Sequence, residues 1–114
     1  MIAEDDKFLN KMYKLNLADT NHDLTFCANG AEAIDAMDKD QPDILLLDLL
    51  MPKVDGFAVL EHVKEKGYKF PVVILTNLSQ EVDQKKCKEL GAKDFIVKSD
   101  LELDQLLSTI KKFL

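Results

Sequence analysis

Six side chains in this sequence have the types and positions to do chemistry together. Glu4, Asp5 and Asp6 follow an opening Met-Ile-Ala. Asp48 ends the apolar run "ILLL" at 44–47, Thr76 ends "VVILT" at 72–76, and Lys98 ends "FIVK" at 95–98. Brought to one rim, they place three or four carboxylates beside a hydroxyl and an ammonium. Carboxylates that share a pocket repel and raise each other's pKa. A divalent cation removes that penalty. An all-oxygen donor set without imidazole or thiolate selects a hard ion, Mg²⁺ ahead of Ca²⁺ or Mn²⁺. Mg²⁺ takes few protein ligands and keeps waters, which leaves a place for a phosphoryl oxygen. With Glu4, Asp5 and Asp48 as ligands, their charges are balanced by Mg²⁺ and Lys98. The neutral site then takes a phosphoryl group by positioning and electrostatics. A carboxylate can act as nucleophile and form an aspartyl phosphate. Asp48, held by apolar neighbours at the end of a central segment, is the candidate, with Thr76 and Lys98 contacting the phosphoryl oxygens.

The elements that must position these groups alternate. Short apolar runs, "LTFCA" (24–28), "ILLL" (44–47), "VVILT" (72–76) and "FIVK" (95–98), read as strands. Between them lie stripes of helical period. Phe8, Leu9, Met12, Tyr13 and Leu17 form the first, Ile34 with Met37 the second, and Phe57, Leu60 and Val63 the third. Leu103, Leu106, Leu107, Ile110 and Leu114 form the last. Pro42, Pro71 and "LGAKD" (90–94) prepare helix-to-strand turns, and "SDLE" (99–102) reads as a capping box. Continuous apolar strands alternating with helices predict an α/β fold with a parallel sheet covered on both faces. In such sheets ligands bind beyond the carboxyl ends of the strands, where all six groups fall. Two features stand out. Only Met1, Ile2 and Ala3 precede the first acids, against about five to six residues in an ordinary strand. In the stretch Ser79 to Glu89 only Val82 and Cys87 are apolar, so that helix gains little from burial and is expected to be the most mobile.

Composition narrows the classes. A chain of 114 residues is one domain's worth. Its net charge of −6, with lysines dispersed among acids, argues against direct nucleic-acid binding. No apolar run approaches the roughly 20 residues that cross a bilayer, and no signal peptide is visible. Cys27 and Cys87 match no metal spacing and read as reduced thiols of a cytoplasmic protein.

The segments "IAEDD" (2–6), "ILLLDLLMPKVDG" (44–56), "VVILTN" (72–77) and "FIVKSD" (95–100), in this order and spacing, resemble the receiver domains of two-component response regulators. The resemblance covers nearly the whole chain, 1–114. It implies a flavodoxin-like three-layer αβα sandwich with five helices and a five-stranded parallel sheet of order 2-1-3-4-5, its first strand clipped. It implies Asp48 as phosphoacceptor and Mg²⁺ held by Glu4, Asp5, Asp48 and the backbone carbonyl of Leu50. Thr76 and Lys98 would bind the phosphoryl group, and Thr76 with Phe95 would form the switch. The implied donor is a sensor histidine kinase or phosphotransfer protein. The implied output is a downstream target protein, or a weak dimer, at the face of the fourth helix, fifth strand and fifth helix. The domain would be no enzyme beyond its own phosphorylation and dephosphorylation.

The chain departs from the family pattern in places. Ser99 stands where proline is usual after the lysine, so a trans bond is expected. Phe95 stands where tyrosine is commoner. The resemblance implies that the residues two past Asp48 and two past Thr76 flank the path of the hydrolytic water; both are leucine here, Leu50 and Leu78, and such apolar walls predict a long-lived phosphoaspartate. Loss of first-strand residues predicts a less stable sheet and a looser hold on Glu4 and Asp5. The competing reading is a pseudo-receiver that docks without turning over phosphate. A phosphatase reading fails because Leu50 stands where a second acid is needed. "DTNHD" (19–23) lacks the glycine and final glutamate of a calcium loop. His22 and His62 read as isolated surface histidines.

Overall fold

The computed structural model describes residues 1–17, 25–49, 54–76, 81–97, 108–110 and 112, without the side chains of 9, 16, 17, 81 and 82. The element order is β1 (Ile2–Ala3), α1 (Lys7–Leu17), β2 (Phe26–Cys27), α2 (Gly30–Lys39), β3 (Leu45–Leu47), α3 (Gly56–Lys66), β4 (Val72–Thr76), α4 (Glu81–Glu89) and β5 (Asp94–Val97). Residues 108–110 belong to a fifth helical segment. The five strands are all parallel, in the order β2-β1-β3-β4-β5.

Alternation along the strands builds two cores. Ala3, Cys27, Leu45, Leu47, Val72 and Ile74 point to one face, where Ala33 and Met37 of α2, Val59, Leu60 and Val63 of α3, and Cys87 of α4 cover them. Ile2, Leu46, Val73 and Leu75 point to the other, under Tyr13 of α1 and Ile110. A strand covered on both sides has no polar face to spare, which is why β3 and β4 read as unbroken apolar runs. β1 is only two residues long, yet both are buried and paired with β2 on one side and β3 on the other.

Helix ends follow from local chemistry. Asn29 caps α2, its side chain accepting the Glu32 N–H at 2.9 Å, while Glu32 Oε2 reaches back to the Ala28 N–H at 2.8 Å. Asp55 caps α3 through the Ala58 N–H at 3.0 Å. Gly67, at φ +68°, ends α3 in the left-handed region that glycine tolerates.

Two sequence expectations need correction. Phe8 was expected on the buried stripe of α1, but it is 70 % exposed, as is Leu15 at 68 %. At 3.6 residues per turn Phe8 lies roughly 140° round the helix from buried Tyr13. α1 covers the sheet with a narrower stripe than its apolar content suggests. His62 is not an isolated surface histidine either. It is half-buried on α3, and Asp38 Oδ1 accepts hydrogen bonds from its Nε2 at 2.9 Å and from the Tyr68 hydroxyl at 2.5 Å. His22 lies outside the described residues, as do the capping box at 99–102 and four of the five members of the last stripe.

The hydrogen bond from His62, then that from Tyr68, hold the Asp38 carboxyl below the usual carboxylate range. A depressed carboxyl contributes stability above its unfolded pKa and loses it as pH falls through the folded one. Asp38→Asn is therefore expected to lower the urea midpoint near neutral pH. The difference from wild type should close as pH falls below about 4. A difference unchanged in acid would mean that the cluster acts through packing alone.

Candidate functional site

The site forms where the order in which strands are added reverses, between β1 and β3. β1 and β3 are neighbours, with Ala3 opposite Leu47. The next residue of each, Glu4 and Asp48, therefore leaves the sheet at the same level. The Asp48 N–H still donates to the Ala3 carbonyl at 3.0 Å, and the Glu4 N–H to the Cys27 carbonyl at 2.9 Å. Glu4 and Asp48 are buried, at 2 % and 5 % exposure. Asp5 is exposed. Carboxylate oxygens of Glu4, Asp5 and Asp48 lie within 4.8 Å of one another. Glu4 is held at both ends of its backbone, since its carbonyl accepts the Asn10 side-chain N–H at 2.8 Å.

Asp6, the third acid of the opening run, does something else. Its Oδ1 accepts the Phe8 N–H at 2.9 Å, and its carbonyl accepts the Asn10 N–H at 3.0 Å, so it starts α1. Thr76 ends β4, the strand beside β3, and is fully buried. Phe95 lies on β5 opposite Ile74, half-buried against the larger core. β5 is described to Val97, opposite Thr76. Lys98, Leu50, Leu78 and Ser99 lie outside the described residues.

The start of α3 closes on the end of β3. The Gly56 N–H donates to the Leu49 carbonyl at 3.1 Å. A Cβ on Gly56 would sit 2.3 Å from the Asp48 carbonyl oxygen, an overlap no side chain tolerates. The Asp55-Gly56 pair thus does more than turn the chain. Asp55 caps the helix, and Gly56 lets that helix start against the backbone of Asp48. From the α2 side, the Gly30 N–H donates to the Val54 carbonyl at 3.1 Å.

Two buried carboxylates and a third at the surface, with no imidazole or thiol among them, fit a hard divalent cation with water-filled positions. Sequence reasoning missed Asn10. Its signal was a polar residue in the first turn of a helix, directly after the acids, where a donor can reach back to the turn it follows.

A parallel sheet of this order, with an acidic pocket at its switch point, is a flavodoxin-like doubly wound α/β domain. Residues 1–111 match the family model for the response regulator receiver domain. The chain belongs to that family, the phosphorelay signalling domain of two-component systems. It is 32 % identical over 111 residues to the transcriptional regulatory protein DltR of Streptococcus agalactiae, covering 97 % of this chain and 49 % of DltR. It is 29 % identical over 98 residues to the alkaline phosphatase synthesis transcriptional regulatory protein PhoP of Bacillus subtilis, covering 86 % of this chain and 41 % of PhoP. The chain thus spans about half or less of the length of these relatives. Among solved structures, it resembles the signal receiver domain of a signal transduction histidine kinase from Syntrophus aciditrophicus. The TM-score is 0.87 and the identity 33 %, over 99 % of this chain and 86 % of that one. No helix among the described residues is long and apolar enough to cross a membrane.

Three carboxylates this close repel one another when no cation is bound. In EDTA, Asp48→Asn is expected to raise the free energy of unfolding by about 1 kcal/mol, because one buried charge is gone. Added Mg²⁺ should shrink or reverse the difference. Urea titrations of both proteins with and without Mg²⁺ measure it. An Asp48→Asn variant less stable than wild type in EDTA would refute the repulsion.

Proposed function

We propose that Asp48 accepts a phosphoryl group from the phosphohistidine of a sensor histidine kinase or phosphotransfer protein. The observation that carries this reading is the position of Asp48. It is buried at the end of the central strand, within 4.8 Å of Glu4 and Asp5, and the neighbouring strand ends in buried Thr76. An Asp48 carboxylate oxygen attacks phosphorus. The new P–O bond forms as the P–N bond to the donor imidazole breaks, and the bonding pair leaves with the imidazole nitrogen. Glu4, Asp5, Asp48 and the Leu50 carbonyl would hold Mg²⁺, which when bound supplies positive charge against the phosphoryl oxygens. The Thr76 hydroxyl donates a hydrogen bond to a phosphoryl oxygen, and Lys98 pairs with another. The protein's part is to aim these groups and keep them aimed.

The response is a change at the face of α4, β5 and the fifth helical segment. As Thr76 moves toward the phosphoryl group, Phe95 turns inward and the face repacks for a downstream target protein or a weak dimer. α4 suits such a change. Its one buried side chain among those described is Cys87. Among its described contacts to α3 are the Lys86 ammonium over the Phe57 ring at 4.5 Å and the Lys64 Nζ donating to the Glu89 carbonyl at 3.4 Å. Such contacts at the surface are individually weak. A helix held this way can populate two positions. The domain would act in the cytoplasm, without touching nucleic acid or membrane through its own surface.

Incubation with acetyl phosphate and Mg²⁺, followed by intact-mass spectrometry, tests the reaction. The expected result is a gain of one phosphoryl group that requires Mg²⁺ and is absent in Asp48→Asn. A folded wild-type chain that gains none would instead be a pseudo-receiver that only docks.

Leu50 and Leu78 would give the attacking water no polar partner beside the phosphoaspartate. The phosphorylated chain is expected to decay over minutes to hours, and polar substitutions at either position should shorten that. Decay of the mass shift after donor removal measures it. A wild-type half-life of seconds would refute the role of the leucines.

A further inference from the structure

We infer that Asn10 is a positioning residue for the metal site, setting the turn that presents Glu4 and Asp5. This rests on the reading of those acids as Mg²⁺ ligands. The Asn10 side-chain N–H donates to the Glu4 carbonyl at 2.8 Å. That oxygen belongs to the peptide joining Glu4 to Asp5. A peptide is planar, so fixing its oxygen fixes ψ of Glu4 and φ of Asp5 together. Rotation of this one plane would swing both carboxylates relative to Asp48.

The rest of the turn is fixed by other means. The Glu4 N–H is held by the Cys27 carbonyl, and the Asp6 carbonyl by the Asn10 N–H. Asp6 Oδ1 is held by the Phe8 N–H. Between these anchors the 4–5 peptide is beyond the ladder of β1, which stops at Ala3. Asn10 supplies the partner that a longer strand would have supplied.

Asn10 is also a poor choice for packing alone. Its Oδ1 is buried and finds no hydrogen-bond partner among the described residues. A half-satisfied buried amide is a liability, and asparagine is a weak helix former. What the side chain does provide is a donor that reaches Glu4.

Thermal unfolding followed by circular dichroism, in EDTA and in excess MgCl₂, tests this without any phosphodonor, since a ligand of the folded state raises the midpoint according to its affinity. Wild type should rise with Mg²⁺ and Asp5→Asn should not. Asn10→Leu should show a much smaller rise, and calorimetric titration should place its Mg²⁺ affinity about ten-fold lower, as for other groups that orient metal ligands. A purely structural role would lower both midpoints together and leave the rise intact. An undiminished rise in Asn10→Leu overturns the inference while leaving the metal site standing. No rise in wild type overturns the metal site and the inference with it. If Asn10→Leu does not fold, Asn10→Ala, which admits water to the Glu4 carbonyl, is read by the same criteria.

Discussion

Everything in this domain depends on holding three carboxylates within 4.8 Å of one another, two of them buried. Two like charges at such a distance repel by about 3 kcal/mol if the surroundings behave as an effective dielectric near 20. A flexible loop would relieve that by moving apart. Parallel strands cannot. The ladder that sets Ala3 opposite Leu47 forces Glu4 and Asp48 to emerge side by side. The ladder is in turn held by cores on both faces of the sheet. The apolar bulk of the chain keeps these acids together at the ends of two neighbouring strands.

The same constraint explains why neighbouring acids do different jobs. Glu4 is buried because it directly continues a central strand. Asp5, one residue on, is exposed. Asp6 is a further step out and is spent on starting α1. Asp55 caps α3, and Gly56 lets that helix begin against the Asp48 backbone. No property of an isolated aspartate distinguishes these roles. Position relative to the end of a strand does.

This also marks how far the sequence could be read. Val72–Thr76 is an unbroken β-branched and aliphatic run, and it forms β4 with the expected bounds. β2 is two residues, Phe26–Cys27, inside the five expected, because an apolar run marks what can be buried and not what is paired. The first helix shows the limit of periodicity. Apolar residues cover half its circumference, and only the neighbours decide which part is buried, so Phe8 falls outside. Asp38, His62 and Tyr68 meet across α2 and α3 through a contact that no local spacing encodes. The acid cluster was legible because its members directly follow two apolar strands, β1 and β3. Asn10 was not, because its role is a single hydrogen bond to a backbone atom.

The sheet is not buried to the same depth throughout. β1, β3 and β4 are central and buried on both faces, and the acids and Thr76 sit on their ends. β5 is at the sheet's edge, and each of its four residues is only half-buried. α4, packed beside it, hides Cys87 deeply enough for burial to push the thiol up to about 11, and Cys87 is its one buried side chain among those described. Stability therefore falls off from the centre of the sheet toward β5 and α4. Local opening is cheapest where buried apolar contacts are fewest. A force applied at Thr76 would meet a stiff core on the side of β3 and a compliant edge on the side of β5. Movement would go to the edge without any dedicated pathway, because that is where the structure resists least.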